Sequence, residues 1–123
     1  PKEGKSVYYT RFQVEIARQI ESVISTDLSH SHTVREFAEQ FGVSEGSIKN
    51  YFFGVFGQSI SRYTMHKRMV YAAGLLEKTD LPVIEIAGSV GYESQSKFAS
   101  AFRREYGTAP FEYRKKKRVS GIL

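Results

Sequence analysis

The sequence contains no cysteine. That excludes disulfide scaffolds, thiol redox chemistry, cysteine nucleophiles and cysteine-ligated zinc, and it suits a reducing cytoplasm, the location expected here. Long hydrophobic runs are also missing. None approaches the ~18–20 apolar residues that a membrane span needs, and no basic-then-apolar segment opens the chain, so no membrane partner is expected. The first residues, Pro1-Lys2-Glu3-Gly4, lack an initiator methionine, and the sequence is expected to be a piece of something longer. What is present is one domain's worth of chain: 123 residues, 41% of them hydrophobic, enough to fill a core. Lys and Arg number 18 against 13 Asp and Glu, and a formal charge of +5 favours an acidic partner over a basic one.

Apolar periodicity and capping signals predict helices throughout. Thr10 with Gln13 forms a capping box, after which Phe12, Ile16, Ala17, Ile20, Val23 and Ile24 recur at helical spacing until the polar stretch Ser25 to His32. Thr33 with Glu36 opens a second, short helix with Val34, Phe37, Ala38 and Phe41 on one face and Gly42 as its stop. Ser44 caps a third helix, in which Ile48, Phe52 and Phe56 recur every four residues before Gly57. From Ser59 to Lys78 there is no proline, and Met69, Ala72, Ala73 and Leu76 make an inward stripe, which predicts one long helix. Beyond Thr79-Asp80, Pro82 can start a helix bearing Val83, Ile86, Ala87 and Val90. Ser94 can cap another, bearing Phe98, Ala101, Phe102 and Tyr106 and ended by Gly107. After Pro110 a brief helical turn around Tyr113 is expected to run into the cations Arg114 to Arg118, which with Arg103 and Arg104 either supply phosphate contacts or form a solvated tail. No window alternates in the manner of a strand, so the fold class expected is all-α.

The two halves repeat. An offset of 49 pairs Val34 with Val83, Glu36 with Glu85, Ala38 with Ala87 and Gly42 with Gly91. With one extra residue in the second copy, an offset of 50 pairs Ile48 with Phe98, Phe52 with Phe102, Phe56 with Tyr106, Gly57 with Gly107 and Tyr63 with Tyr113. Solenoid repeats would need other periods and about three or more copies. Short helix, glycine turn and second helix is the helix-turn-helix pattern, which sets its second helix in a DNA major groove. The predicted architecture is therefore two helix-turn-helix subdomains joined by a long linking helix. The divisions are a linker remnant (1–9), the first unit with its N-terminal and linking helices (10–78), the second unit (79–118) and a tail (119–123). A helix of about 20 residues spans ~30 Å, near the ~34 Å between major-groove segments one turn apart, so an asymmetric double-stranded DNA target is expected.

The chain resembles the DNA-binding domain of AraC/XylS-type transcription regulators. In the first half the resemblance rests on Thr33-Val34-Arg35-Glu36-Phe37-Ala38, Gly42-Val43-Ser44, Phe52 with Gly57, Arg68-Met69 and Ala73 to Leu76. The second half matches more strongly, in Ile84-Glu85-Ile86-Ala87, Val90-Gly91-Tyr92, Phe98, Phe102-Arg103-Arg104, Gly107-Thr108-Ala109-Pro110 and Tyr113-Arg114. The likeness covers roughly residues 10 to 116. It implies a bacterial activator or repressor that binds promoter DNA, in many cases touches RNA polymerase, and carries a sensing, receiver or dimerisation module upstream.

On the second recognition helix, about 94–106, the face opposite the apolar stripe carries Gln95, Ser96, Ala99, Ser100 and Arg103. The family's base-reading positions map onto Gln95, Ser96, Lys97, Ala99 and Ser100. Gln95 can pair with adenine, Lys97 with guanine or phosphate, and Ala99 can pack on a thymine methyl. On the first recognition helix, about 44–56, the exposed face is Gly46, Lys49, Asn50 and Phe53, with Ser47 beside it. Here the sequence departs from the family pattern: Phe53-Gly54-Val55 stands where relatives carry basic or polar residues, and Gly46 where a larger side chain is common. Gly54 inside a helix costs ~1 kcal/mol relative to alanine. Phe53 either offers an apolar contact or packs into the core beside Phe52. Arg68 is expected to make a structural ion pair with a nearby glutamate.

No catalytic constellation, cofactor motif or metal site is expected. His30 and His32 flank a serine without further spaced ligands, His66 stands alone, and there is no phosphate loop or serine elbow. The rival reading is a helical protein-interaction module that kept the fold and lost specific DNA binding, with Phe53, Tyr8 and Tyr9 on its partner surface.

Overall fold

The computed structural model describes residues 8–122, with side chains through residue 120. Residues 1–7 of the expected linker remnant and residue 123 of the tail lie outside the described residues. All regular structure among the described residues is helical: α1 (Arg11–Thr26), α2 (Val34–Phe41), α3 (Glu45–Phe56), α4 (Ile60–Lys78), α5 (Val83–Ser89), α6 (Gln95–Tyr106) and α7 (Pro110–Ile122). Local chemistry sets the starts. Thr10 and Thr33 form complete capping boxes with Gln13 and Glu36, so two orphan donors are satisfied at each end. Ser44 and Ser94 accept from the backbone N–H of Ser47 and Lys97 to cap α3 and α6. The four glycines that the repeat pairs, Gly42, Gly57, Gly91 and Gly107, all have positive φ, and no other type of residue among the described residues does. Each copy therefore turns at the same two points, where a Cβ would be strained.

The chain forms two compact units. Among the described residues, one takes those up to Asp27 and His32–Thr64; the other takes Leu28–Ser31 and those from Met65 onward. The boundary falls inside α4.

The first unit buries Ile16, Ala17, Ile20 and Ile24 of α1, Phe37 and Ala38 of α2, Ile48 and Phe52 of α3, and Ile60. α3 packs against both α1 and α2. The Phe52 and Phe56 rings lie 4.8 Å apart, and Tyr63 meets Phe52 edge-on at 5.4 Å. Phe12, expected on the core face, is 63% exposed. A four-residue step overshoots a full helical turn by about 40°, so Phe12 lies roughly 95° from the middle of the buried stripe.

In the second unit Met69, Ala72, Ala73 and Leu76 of α4 form one core with Ile86, Ala87, Val90, Phe98, Ala101 and Phe102. Its aromatic base copies the first: Phe102 and Tyr106 stack at 4.7 Å and Tyr113 meets Phe102 edge-on at 5.2 Å. Two expectations are corrected here. The segment after Pro110 is a helix of 13 residues and not a brief turn with a solvated tail. Arg114 and Arg118, one turn apart, donate to the carbonyls of Leu76 and Thr79 at the end of α4, at 2.6–3.1 Å, and Arg118 also pairs with Asp80. They satisfy acceptors that a helix end leaves unmade. Among the described residues Arg68 has no glutamate partner either. It donates to the backbone carbonyls of Leu28 (2.7 Å) and His30 (3.3 Å) and lies over the Tyr92 ring. Gly91 completes that arrangement, because a Cβ there would crowd the Ser29 carbonyl and the Arg68 guanidinium.

Candidate nucleic-acid interface

α6 turns its apolar stripe, Phe98, Ala101 and Phe102, fully inward. Helical geometry then leaves Gln95, Ser96, Lys97, Ser100 and Arg103 exposed, with Ala99 half-buried among them. The first turn carries no acidic residue and the last carries Arg103 and Arg104. Glu105, the one carboxylate on the helix, is engaged by His66 Nδ1 at 2.9 Å. His66 is thus not isolated, as the sequence suggested. Among the described residues no carboxylate pairs with Lys97, Arg103 or Arg104. Cations beside exposed amide and hydroxyl groups suit phosphates and base edges together.

α3 presents a different face. Gly46, Lys49, Asn50 and Phe53 are exposed, and Ser47 is half-buried. Ser47 is also drawn into the cap, accepting from the Ser44 hydroxyl at 3.0 Å. Glu45 puts a carboxylate on the first turn, where α6 has none. Of the two fates open to Phe53, core packing is the one not realised. The ring is 57% exposed and lines an open groove of about 530 Å³ with Val34, Gly46, Lys49, Asn50 and Ile60. Gly46 leaves that groove open because it adds no side chain to it.

Sequence reasoning placed Tyr9 beside Phe53 only as part of a protein-partner surface and missed its contact with Asn50. Tyr9, in the segment that leads into α1, lays its ring against α3. Its hydroxyl donates to Asn50 Oδ1 at 3.1 Å and approaches the Asn50 carbonyl at 3.4 Å. Its ring meets Tyr51 edge-on with centroids 6.4 Å apart. The signal that could have found it is Gly54. A Cβ at that position would overlap Cε2, Cζ and the hydroxyl oxygen of Tyr9.

Comparison with known proteins agrees with this geometry. The helix-turn-helix domain family matches residues 37–116. The RCS-specific HTH-type transcriptional activator RclR of Escherichia coli is 38% identical over 89 residues, covering 72% of this chain and 31% of that protein. The chain thus spans about a third of that relative's length. Among solved structures, the C-terminal domain of AraT, a response regulator from Geobacillus stearothermophilus, superposes with a TM-score of 0.78 at 33% identity, over 82% of this chain and 84% of that one. The DNA-binding domain of the global transcriptional factor AdpA, solved in complex with a target DNA, gives 0.79 at 25% identity, over 85% and 94%.

Proposed function

The chain belongs to the AraC-type family of helix-turn-helix domains, and we propose that it binds double-stranded promoter DNA sequence-specifically and regulates transcription. In this reading α3 and α6 are its recognition helices, each entering a major groove. The observation that carries it is the outer face of α6, where Gln95, Ser96, Lys97, Ser100 and Arg103 stand exposed on a helix whose opposite face is anchored by three buried residues. Gln95 offers a donor and an acceptor, the pair that adenine matches; Lys97 suits guanine or a phosphate, and Ala99 a thymine methyl. Arg103 supplies salt-sensitive phosphate affinity. On α3, Lys49 and Asn50 are the polar readers, Gly46 and Phe53 an apolar contact surface, and Ser47 a capping residue at its edge. The likeness to the AraT domain, the C-terminal part of a response regulator, supports a receiver or other sensing domain upstream in the full-length protein. Contact with RNA polymerase belongs to the same proposal, on the strength of activator relatives.

Selection of bound duplexes from a randomised pool, at two salt concentrations, tests the reading. Two enriched blocks of unlike sequence, with affinity that falls steeply as salt rises, are expected. No enrichment even at low salt overturns it. A single block would leave α6 as the only reader and give the exposed Phe53 groove to a protein partner.

A further inference from the structure

We propose that Tyr9 is a positioning residue that sets which base α3 accepts, by holding the Asn50 amide with its oxygen turned toward Tyr9, so that Asn50 presents its amide donors to the groove. The inference rests on the reading of α3 as a DNA-recognition helix.

Four observations place Tyr9 there. Its hydroxyl reaches Asn50 Oδ1 at 3.1 Å. Its ring fills the volume left by Gly54, a residue that weakens a helix interior unless something uses the missing side chain. Tyr51 supports the ring from one side. The following residue, Thr10, is locked into the α1 capping box, with its N–H donating to Gln13 Oε1 at 2.9 Å, so the backbone that carries Tyr9 is held. Asn50 itself is exposed, next to Lys49 and the Phe53 groove on the face expected to meet DNA.

The consequence follows from the way the amide is turned. An unencumbered asparagine grips adenine with two bonds, its oxygen accepting from N6 and its amide donating to N7. The Tyr9 hydroxyl takes one of the two lone pairs of Oδ1 and holds the amide with that oxygen turned toward Tyr9, so the adenine match loses one arm. The NH2 group keeps both hydrogens, and guanine offers acceptors at both N7 and O6. The base opposite Asn50 is therefore guanine in preference to adenine. Tyr9 reaches no base itself, and its effect passes through the orientation of one amide.

Tyr9→Phe keeps the ring against Gly54 and Tyr51 and removes only the hydroxyl. In parallel duplex selections, Asn50→Ala identifies the position that Asn50 contacts by abolishing its preference. The wild-type chain should favour guanine there. Tyr9→Phe should move the preference toward adenine by about tenfold, the size of one good base contact, while the block read by α6 stays the same. A merely structural Tyr9 would instead lower affinity for all sequences alike and leave base choice untouched. Asn50 is the only asparagine in the sequence, so asparagine-selective 15N labelling gives one side-chain NH2 pair. That pair should shift in Tyr9→Phe and in Gly54→Ala, which evicts the ring. An unmoved pair, or unchanged base choice in Tyr9→Phe, overturns the proposal. If the wild-type chain enriches no block that Asn50→Ala alters, the DNA-reading role of α3 fails, and the positioning role fails with it.

Discussion

Arg114 lies in the most basic stretch of the sequence, yet its guanidinium faces the end of α4, donating to Leu76 O at 3.0 Å and Thr79 O at 3.1 Å. Charge-assisted bonds to otherwise unmade carbonyls contribute more than neutral ones. Arg114→Ala is expected to cost about 2 kcal/mol of stability by urea unfolding, a loss that a solvated tail cation would not show. Tyr63 makes a comparable tie with a pH signature. Its hydroxyl donates to Glu21 Oε2 at 2.6 Å, and burial, then the Glu21 hydrogen bond and charge, push its pKa up to about 12 from 10. The folded chain therefore holds that proton at pH values where the unfolded chain has released it. Its stabilising contribution is complete below pH 10 and is lost as pH rises through about 12. Tyr113 repeats the tie with Glu77 at 2.6 Å, with its pKa raised for the same reasons. Tyr63→Phe should lower stability at neutral pH and flatten its fall in the alkaline window, as read by unfolding curves at a series of pH values.

At the scale of elements, α3 and α6 are copies that have diverged outside and not inside. Both begin at a serine cap, end at a left-handed glycine and sit on a Phe–aromatic–Tyr base. Outwardly, α6 offers cations and polar groups, while α3 offers Glu45, an apolar groove and an asparagine held by Tyr9. On the reading proposed, Gln95→Ala should cost ~1–3 kcal/mol on the selected site and much less on random duplex, measured by titration of each. The inner half of this comparison was legible in the sequence. Caps, stops and buried stripes are local patterns of residue type, and they predicted six of the seven helices, with only a brief turn expected where α7 stands. Tyr9 on α3, Arg68 on the 28–30 carbonyls and Arg114 on the α4 carbonyls were not legible. The two arginines bond to backbone carbonyls, which look alike in a sequence, and Tyr9 meets an asparagine 41 residues away across a glycine. Gly54 was visible as an anomaly, but a glycine shows that something approaches without saying what.

For the molecule as a whole, the excess of 5 positive charges says that nucleic acid is favoured without saying which cations meet it. Arg35 pairs with Glu39 on the same helix, Arg68 and Arg114 hold backbone carbonyls, and Arg118 bridges Asp80 and Thr79. These charges are committed before any DNA arrives. Lys97, Arg103 and Arg104 have no carboxylate partner among the described residues and lie on or beside the face proposed to read DNA. Each phosphate contact releases counterions, so log K falls with log salt by about 0.9 per contact. Arg103→Ala should therefore reduce that slope by about 0.9, and weaken binding to selected and random duplexes alike. Arg118→Ala should lower the melting temperature and leave the slope where it was. Equal losses of slope in both variants would mean that the basic C-terminal helix reaches phosphate as well as its own α4 end. A slope unmoved by Arg103→Ala would remove that residue from the interface and shift the electrostatic footprint to Lys97 and Arg104.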